Sequence, residues 1–414
     1  MDLQRQYSYE YFRSYHYLGK TMMRKLILLV SVAVVVACQP NAPKTDSLLE
    51  EVRMEYAPDK RVALYKPEIV NRGGKLILKG ETDMPEAKEK TLSLLAEKGI
   101  AIVDSLKVLP DAGLAGKTQG VIQVSVANIR SNPKHSAELA TQALLGMPVK
   151  VLKKEGDFYL VQTPDDYLGW VDRGGICLMD ESRYAEFMQA PKMIYMKTNG
   201  FALERDGKLF AKSDKRVGDL VMGDILELTG QDPLYYFVSF PDGREARVIK
   251  TEAAPFDKWL GTVAAQPEDM VETAKTLMGI PYLWGGTSSK GMDCSGFTKT
   301  VYLMHGYIIP RDASQQVHAG ELIDEAGEFD KLIPGDLLFF GRAATPEKKE
   351  RISHVGMWIG EGEFIHASGR IKIGSMNPDS PNYDEFNKGR YIRTKRLANQ
   401  EEGVKLLAQG ALFQ

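Results

Sequence analysis

Three features of the sequence predict a multidomain α+β protein. With 43% hydrophobic and 26% charged residues the composition is that of a globular chain, and 414 residues is enough for about three or four domains. A strand-rich unit is written twice, as Gly146 to Val171 (GMPVKVLKKEGDFYLVQTPDDYLGWV) and Gly223 to Val248 (GDILELTGQDPLYYFVSFPDGREARV). Each copy runs through a glycine, an alternating strand, a charged turn, an aromatic strand, a Pro-Asp turn and a closing strand, the pattern of a small β-barrel. The last segment, from about Gln266 to Leu397, opens instead on helical spacing and ends in alternating strands. A formal net charge of −2 offers no field for nucleic acid, and no such partner is expected.

Composition shifts divide the chain into an upstream extension with an export signal (1–38), a tether and small α+β domain (39–118), two barrels (119–185 and 186–258), a chemistry-bearing domain (266–397) and a C-terminal tail (398–414). Met22-Met23-Arg24-Lys25 is a basic start, and Leu26 to Ala37 is an apolar run shorter than the roughly 20 helical residues that span a bilayer. It ends at Val35-Val36-Ala37-Cys38, which resembles the lipobox of bacterial lipoproteins, where the cysteine is acylated and becomes the mature N-terminus. An ordinary secretory signal is the alternative. Met1 to Thr21 makes no sense ahead of a basic start, which points to Met22 or Met23 as the true beginning. The expectation is an exported lipoprotein, anchored to a membrane through Cys38 on its periplasmic or cell-surface side.

In the mature chain, Gln39 to Ser47 reads as a Pro/Asn/Lys tether. Arg61 to Tyr65 and Lys75 to Leu78 read as strands around a Gly73-Gly74 turn. Pro85 to Lys98 reads as a helix, with Asp83 as its cap and Ala87, Thr91, Leu92 and Leu95 on one face; Ile100 to Val103 and Leu106 to Leu109 return to strand. Nothing in this domain is catalytic by type or spacing. Either both barrels are packing modules, or one of them supplies a wall of the functional site or a binding surface of its own, and composition does not choose.

The chemistry gathers in the last segment. Asp269 to Met278 reads as a helix closed by Gly279, and "YLWGG" (Tyr282 to Gly286) as an aromatic loop of close backbone approach. In "GMDCSGF", Asp293 is a good N-cap, and Phe297, Val301 and Met304 recur at helical spacing, so Cys294 falls in the first turn of a helix. Unpaired N–H groups and the positive end of the helix dipole favour thiolate there, and the thiolate is the nucleophile. Cys177 is the other cysteine of the mature chain if Cys38 carries lipid; the two either pair or remain one buried and one reactive thiol. Without CxxC spacing a metal site is disfavoured, and no cofactor is expected. A nucleophilic cysteine needs a base. Of six histidines, His16 precedes the mature chain, His135 lies in the first barrel, His305 ends the cysteine helix and His318 lies among polar loop residues. His354 opens the alternating "HVGMWIG" and His366 ends "EFIH", across a Gly360-Glu361-Gly362 turn. On adjacent antiparallel strands one imidazole can take the thiol proton while the other fixes its tautomer.

"YLWGGTSSKGMDCSGF", "PRDASQQ", "PGDLLFF", "SHVGMWIG" and "FIHASG", in this order, resemble the NlpC/P60 family of cell-wall cysteine peptidases over the whole last segment. The resemblance implies a papain-like fold, a helix carrying the cysteine packed on an antiparallel sheet carrying the histidines. It makes Cys294 the nucleophile, His354 the general base, His366 the residue that orients it, and the Cys294 N–H and Tyr282 hydroxyl the oxyanion donors. Ala343 to Arg351 looks like a charged loop insertion. The first barrel resembles a bacterial SH3 domain through "DFYLVQTPDDYLGWV", and the second, lacking the Gly-Trp ending, resembles it weakly. SH3-like modules ahead of an NlpC/P60 domain are similar to the γ-D-glutamyl-L-diamino acid endopeptidases. That similarity implies murein peptides with a free N-terminal L-alanine as substrate, cut after L-Ala-γ-D-Glu. The N-terminal ammonium of such a peptide needs an anionic partner in a closed pocket. Asp293 holds that position in the family, and the best matches to an acid and a tyrosine from the first SH3-like domain are Glu138 and Tyr167. Ser295 and Ser314 match serines lining the same region. A general murein endopeptidase and a non-catalytic wall-binding lipoprotein are the alternatives.

Overall fold

The computed structural model describes residues 42–205, 215–263 and 266–413; Cys38 and the export signal lie outside them. The first described element is a helix, α1 (Ala42–Tyr56), where most of the tether was expected, because Leu48 and Val52 have a core to enter. They pack on a three-stranded sheet of β1 (Tyr65–Arg72), β2 (Lys75–Thr82) and β3 (Ile102–Val108), with α2 (Pro85–Glu97) making the crossover to the parallel β3. Several details differ from expectation. Arg61 and Val62 lie in a turn and the strand begins only at Tyr65, since Arg61 folds back on Asp59 through its backbone N–H and its guanidinium. Met84, not Asp83, caps α2, because the Asp83 carboxylate is occupied by the Leu64 N–H at 2.8 Å. Leu94 takes the expected place of Leu92 on the buried face, and β3 is one strand where two were anticipated.

The repeated text folds into a repeated topology. The first copy holds β4 (Gln119–Ile122), β5 (Val126–Arg130), β6 (Leu139–Leu144), β7 (Pro148–Glu155), β8 (Phe158–Gln162), β9 (Leu168–Asp172) and β10 (Ile176–Met179). After α3 (Glu181–Gln189), the second holds β11 (Lys192–Tyr195), β12 (Asn199–Leu203), β13 (Arg216–Val221), β14 (Ile225–Gln231), β15 (Tyr235–Ser239), β16 (Glu245–Ile249) and β17 (Ala253–Pro255). Spatial order is β10-β4-β7-β8-β9-β5-β6 in the first and β17-β11-β14-β15-β16-β12-β13 in the second, strand for strand the same. Both sheets are antiparallel throughout. Cys177, in β10, is unpaired, as is Cys294.

Helices α4 (Phe256–Thr262) and α5 (Pro267–Thr276) lead into the last domain. A short ribbon of β18 (Thr287–Ser288) and β19 (Gly291–Met292) precedes α6 (Cys294–Leu303), which is followed by β20 (Tyr307–Ile308) and α7 (Ala313–Gln316). Then come β21 (Glu321–Asp324), β22 (Leu337–Arg342), β23 (Arg351–Gly360), β24 (Glu363–Ser368), β25 (Arg370–Ser375), α8 (Glu385–Lys388), β26 (Tyr391–Arg396) and β27 (Lys405–Leu406). The six-stranded sheet runs β21-β26-β22-β23-β24-β25. Phe297, Val301 and Tyr302 of α6 are buried in one core with Phe339, Val355, Met357 and Ile365 of the sheet. The charged stretch before His354 is a loop closed by a Thr345–Lys348 bridge, and Arg351 opens β23.

The end of the chain is not a tail. β27 pairs with β20, Leu407 and Leu412 are buried, and Lys405 reaches the Pro164 carbonyl and the Asp166 carboxylate, each at 2.7 Å. Phe413 packs edge-on against Phe187 and Phe256. This strap ties the first SH3-like module to the last domain where the sequence predicts a tail, because its apolar run is too short to carry a period.

Candidate active site

Cys294 is the first residue of α6 and is buried to 7% exposure. The Asp293 side chain caps the helix by accepting the Gly296 N–H at 2.7 Å, as the Asp-Cys-Ser-Gly order implies. Across the helix, β23 and β24 present the two histidines: His354 Nε2 and His366 Nδ1 are hydrogen-bonded at 2.9 Å. His366 fits because Gly356 stands beside it; a Cβ there would meet the Phe364 ring at 2.7 Å and the His366 Cβ at 3.3 Å. With Nε2 of His354 engaged, Nδ1 is the nitrogen left to exchange a proton with the thiol.

Electrostatics correct one expectation. Burial, and after it the negative Asp293, pushes the Cys294 thiol up to about 12, outweighing the amides of Val355 and Ser295 and the Arg311 charge, which pull it down. The helix N-terminus is present, but desolvation wins. Burial also holds His366 down to about 4 against the pull of Asp384, and burial with the neighbouring His366 holds His354 well below 6.5. The resting pair near pH 7 is therefore a neutral thiol and a neutral imidazole. Tyr282 is half-buried on the loop bridged to Met292, and burial with the charges of Cys294 and Asp293 pushes its phenol up, so it stays a hydroxyl donor.

Asp293 does not offer a free carboxylate. Its Oδ1 accepts from Gly296 N–H, from the Ser295 hydroxyl at 3.2 Å and from Arg311 Nη1 at 3.1 Å; its Oδ2 accepts from Gly285 N–H at 2.9 Å and Arg311 Nη2 at 2.6 Å. Ser295 is drawn into the same pair, accepting from Arg311 Nη1 at 3.0 Å, and is buried. Five donors engage the Asp293 carboxylate, so it is a buried, paired group and not the free anion that the sequence leads one to expect.

The remaining predicted residues fall into two groups. Tyr167 is buried and donates to Asp312 Oδ2 at 3.1 Å; the same oxygen takes Arg61 Nη1 at 2.7 Å, and that nitrogen also reaches the Ser314 hydroxyl at 2.9 Å. Asp59 completes the group by accepting from Gln315 Nε2 at 2.8 Å. Glu138 stands apart, exposed, accepting from the Trp284 indole at 2.8 Å. The first SH3-like module is thus a wall of the site. Gly285, at φ +80°, lies so close to Leu139 that a Cβ would stand 2.2 Å from the Leu139 carbonyl oxygen. Gln142 binds Thr287 and Ser288, Thr141 accepts from Arg311 Nε at 2.9 Å, and Asp165 pairs with Lys299 at 2.8 Å. Arg311, Asp312, Arg61 and Asp384 escaped the sequence reading. The first two sit inside "PRDASQQ", where a buried arginine beside an acid was the available signal; Arg61 and Asp384 had none, being brought in from distant segments.

A buried cysteine at a helix N-terminus, bonded to the Val355 amide of an antiparallel sheet that carries two hydrogen-bonded imidazoles, is the arrangement of a papain-like cysteine hydrolase. Residues 279–389 match the NlpC/P60 family, and residues 129–176 match the bacterial dipeptidyl-peptidase Sh3 domain. The chain is 32% identical over 272 residues to the Gamma-D-glutamyl-L-lysine dipeptidyl-peptidase of Bacillus cereus, covering 62% of this chain and 76% of that one. It is 27% identical over 294 residues to Dipeptidyl-peptidase 6 of Lysinibacillus sphaericus, covering 64% and 93%. A crystal structure of an NlpC/P60 family protein from Bacillus cereus aligns with a TM-score of 0.56 at 26% identity, over 68% of this chain and 99% of that one. This chain belongs to the NlpC/P60 family of cysteine peptidases.

The depressed imidazoles set a pH window. Lowering a histidine's pKa keeps it a competent base to lower pH, so kcat/KM is held through pH 6.5 and lost only as the pH falls through the folded value of His354. The ultraviolet difference between wild type and Cys294→Ser is expected to show no thiolate at neutral pH and to gain one only on the alkaline side of a model thiol. A thiolate band at pH 7 contradicts the neutral resting pair.

Proposed function

We propose that this chain hydrolyses the amide between γ-D-glutamate and the diamino acid of murein peptides that carry a free N-terminal L-alanine, releasing L-Ala-γ-D-Glu. One observation carries the preference for a free amine. Against Tyr167 and Thr141 of the first SH3-like module, the carboxylates of Asp293, Asp312 and Asp59 face the guanidiniums of Arg311 and Arg61, which leaves one unbalanced negative charge. An ammonium completes the balance, whereas an acylated amine leaves it unmet. Asp312 and Asp59, with side chains 27% and 28% exposed, are the reachable members, and Glu138 adds a carboxylate at the rim. Tyr167 and Ser314 orient Asp312 and Arg61 in this reading.

Cys294 gives its proton to His354 Nδ1 as its sulfur attacks the γ-carbonyl carbon. The first-turn N–H of Cys294, without a partner in its own helix, and the Tyr282 hydroxyl receive the oxyanion. His354 returns the proton to the leaving amine of the diamino acid. The thioester on Cys294 is then hydrolysed by a water that His354 deprotonates, freeing the dipeptide.

Mass spectrometry of digests of defined murein tripeptides tests the proposal. Release of Ala-Glu from the free peptide, with none from the N-acetylated or muramyl-linked form, is expected. Equal cleavage of both sinks it in favour of a general wall hydrolase, and no cleavage by wild type favours a wall-binding role. We further propose that the mature chain is exported and held at a membrane by lipid on Cys38. Intact-mass analysis of the N-terminal peptide from a membrane fraction finds an acylated cysteine if so; an unmodified N-terminus beyond residue 38 in the soluble fraction refutes it.

A further inference from the structure

The histidine pair extends to a fourth group. For His354 to accept the thiol proton at Nδ1, its own proton must sit on Nε2, and that N–H must donate to His366 Nδ1, 2.9 Å away. His366 Nδ1 is then an acceptor, so His366 must carry its proton on Nε2. That nitrogen is fully buried and, among the described residues, has no hydrogen-bond partner. Asp384 Oδ2 lies 3.7 Å from it.

The opposite arrangement is chemically silent. A proton on His366 Nδ1 would donate back to His354 Nε2 and force the His354 proton onto Nδ1, which then cannot accept the thiol proton. Something must select between these two tautomers, and a carboxylate aimed at His366 Nε2 does so, because it accepts an N–H and repels a lone pair. The other charges near the histidines are Lys372 and Arg390, both of which disfavour imidazolium. Asp384 is the group that opposes them.

Asp384 is itself held. It caps α8, its Oδ1 accepts the Asn387 N–H at 3.0 Å and its Oδ2 the Asn387 side-chain amide at 2.5 Å, and its own N–H donates to Ser375 at the end of β25. Asn387 Oδ1 accepts from Arg390 Nε at 3.0 Å and Nη2 at 2.7 Å, and Arg390 Nη1 reaches the Ser353 hydroxyl at 3.1 Å, next to His354. The chain of contacts leaves the sheet at β24 and returns to it at β23.

We propose that Asp384 is a positioning residue of the peptidase: through His366 it sets the tautomer of His354 and steadies the imidazolium formed when the thiol proton is transferred. It takes no proton itself; the 3.7 Å gap closes to a hydrogen bond as positive charge develops on the histidines. This inference rests on the reading of Cys294 and His354 as nucleophile and base.

Nitrogen-15 NMR of histidine-labelled wild type reads the tautomer directly, without substrate, and so separates this inference from the choice of murein peptide. His366 is expected as the Nε2–H form, and a proton on Nδ1 overturns the proposal. In Asp384→Asn, whose amide can donate to His366 Nε2, the tautomer is expected to flip. Its kcat and the rate of Cys294 alkylation by iodoacetamide fall together by at least about 10-fold with KM little changed, and Asp384→Glu recovers part of the loss. An Asp384→Asn protein with wild-type alkylation and kcat overturns the proposal, and if that variant does not fold, the wild-type tautomer decides.

Discussion

The buried pair between Asp293 and Arg311 is the interaction on which the rest of the site depends. One carboxylate caps the helix that begins at Cys294, holds the Gly285 amide of the aromatic loop and binds a guanidinium that is 1% exposed. The same guanidinium crosses to Thr141 in the first SH3-like module. Helix start, aromatic loop and module wall are therefore fixed by one charge pair. Breaking such a pair by removing one partner leaves an uncompensated buried charge, at a cost of about 3–5 kcal/mol, and here it would also release three elements at once.

The pair has a consequence for reactivity. A negative charge beside a buried sulfur opposes ionisation, and the helix dipole, worth typically 0.3–1 kcal/mol at an exposed terminus, is small against it. The thiol stays protonated until a proton acceptor is aligned with it. In the proposed mechanism reactivity depends on the geometry of the histidine pair more than on a standing thiolate, which gives the tautomer of a fully buried imidazole its weight.

Much of this was legible in the sequence. The two barrels share a strand order because their turn chemistry is shared, and local turn signals act over a few residues that a reader can see. Cys294, His354 and His366 were legible because helix start and strand alternation place them without knowledge of distant partners. The rest depended on long-range pairing. Asp293 looked like an available anion because its partner, Arg311, lies 18 residues on and its role is fixed only by burial. The Asp59–Arg61 turn, read as the start of a strand, was invisible as a site element because its partners, Asp312, Ser314 and Gln315, lie more than 250 residues away. That contact gives the N-terminal module, which seemed to have no role, a place at the cleft.

The central claim is that Cys294 attacks a γ-glutamyl carbonyl in a cleft closed for short peptides with a free amine. It is tested most directly by acid-quenching the enzyme during turnover of a free murein tripeptide and measuring its mass and modified peptide. The account predicts a thioester of the Ala-γ-Glu acyl group on Cys294, absent in Cys294→Ser and absent with N-acetylated peptide. An adduct on another residue, or turnover undiminished in Cys294→Ser, would contradict it.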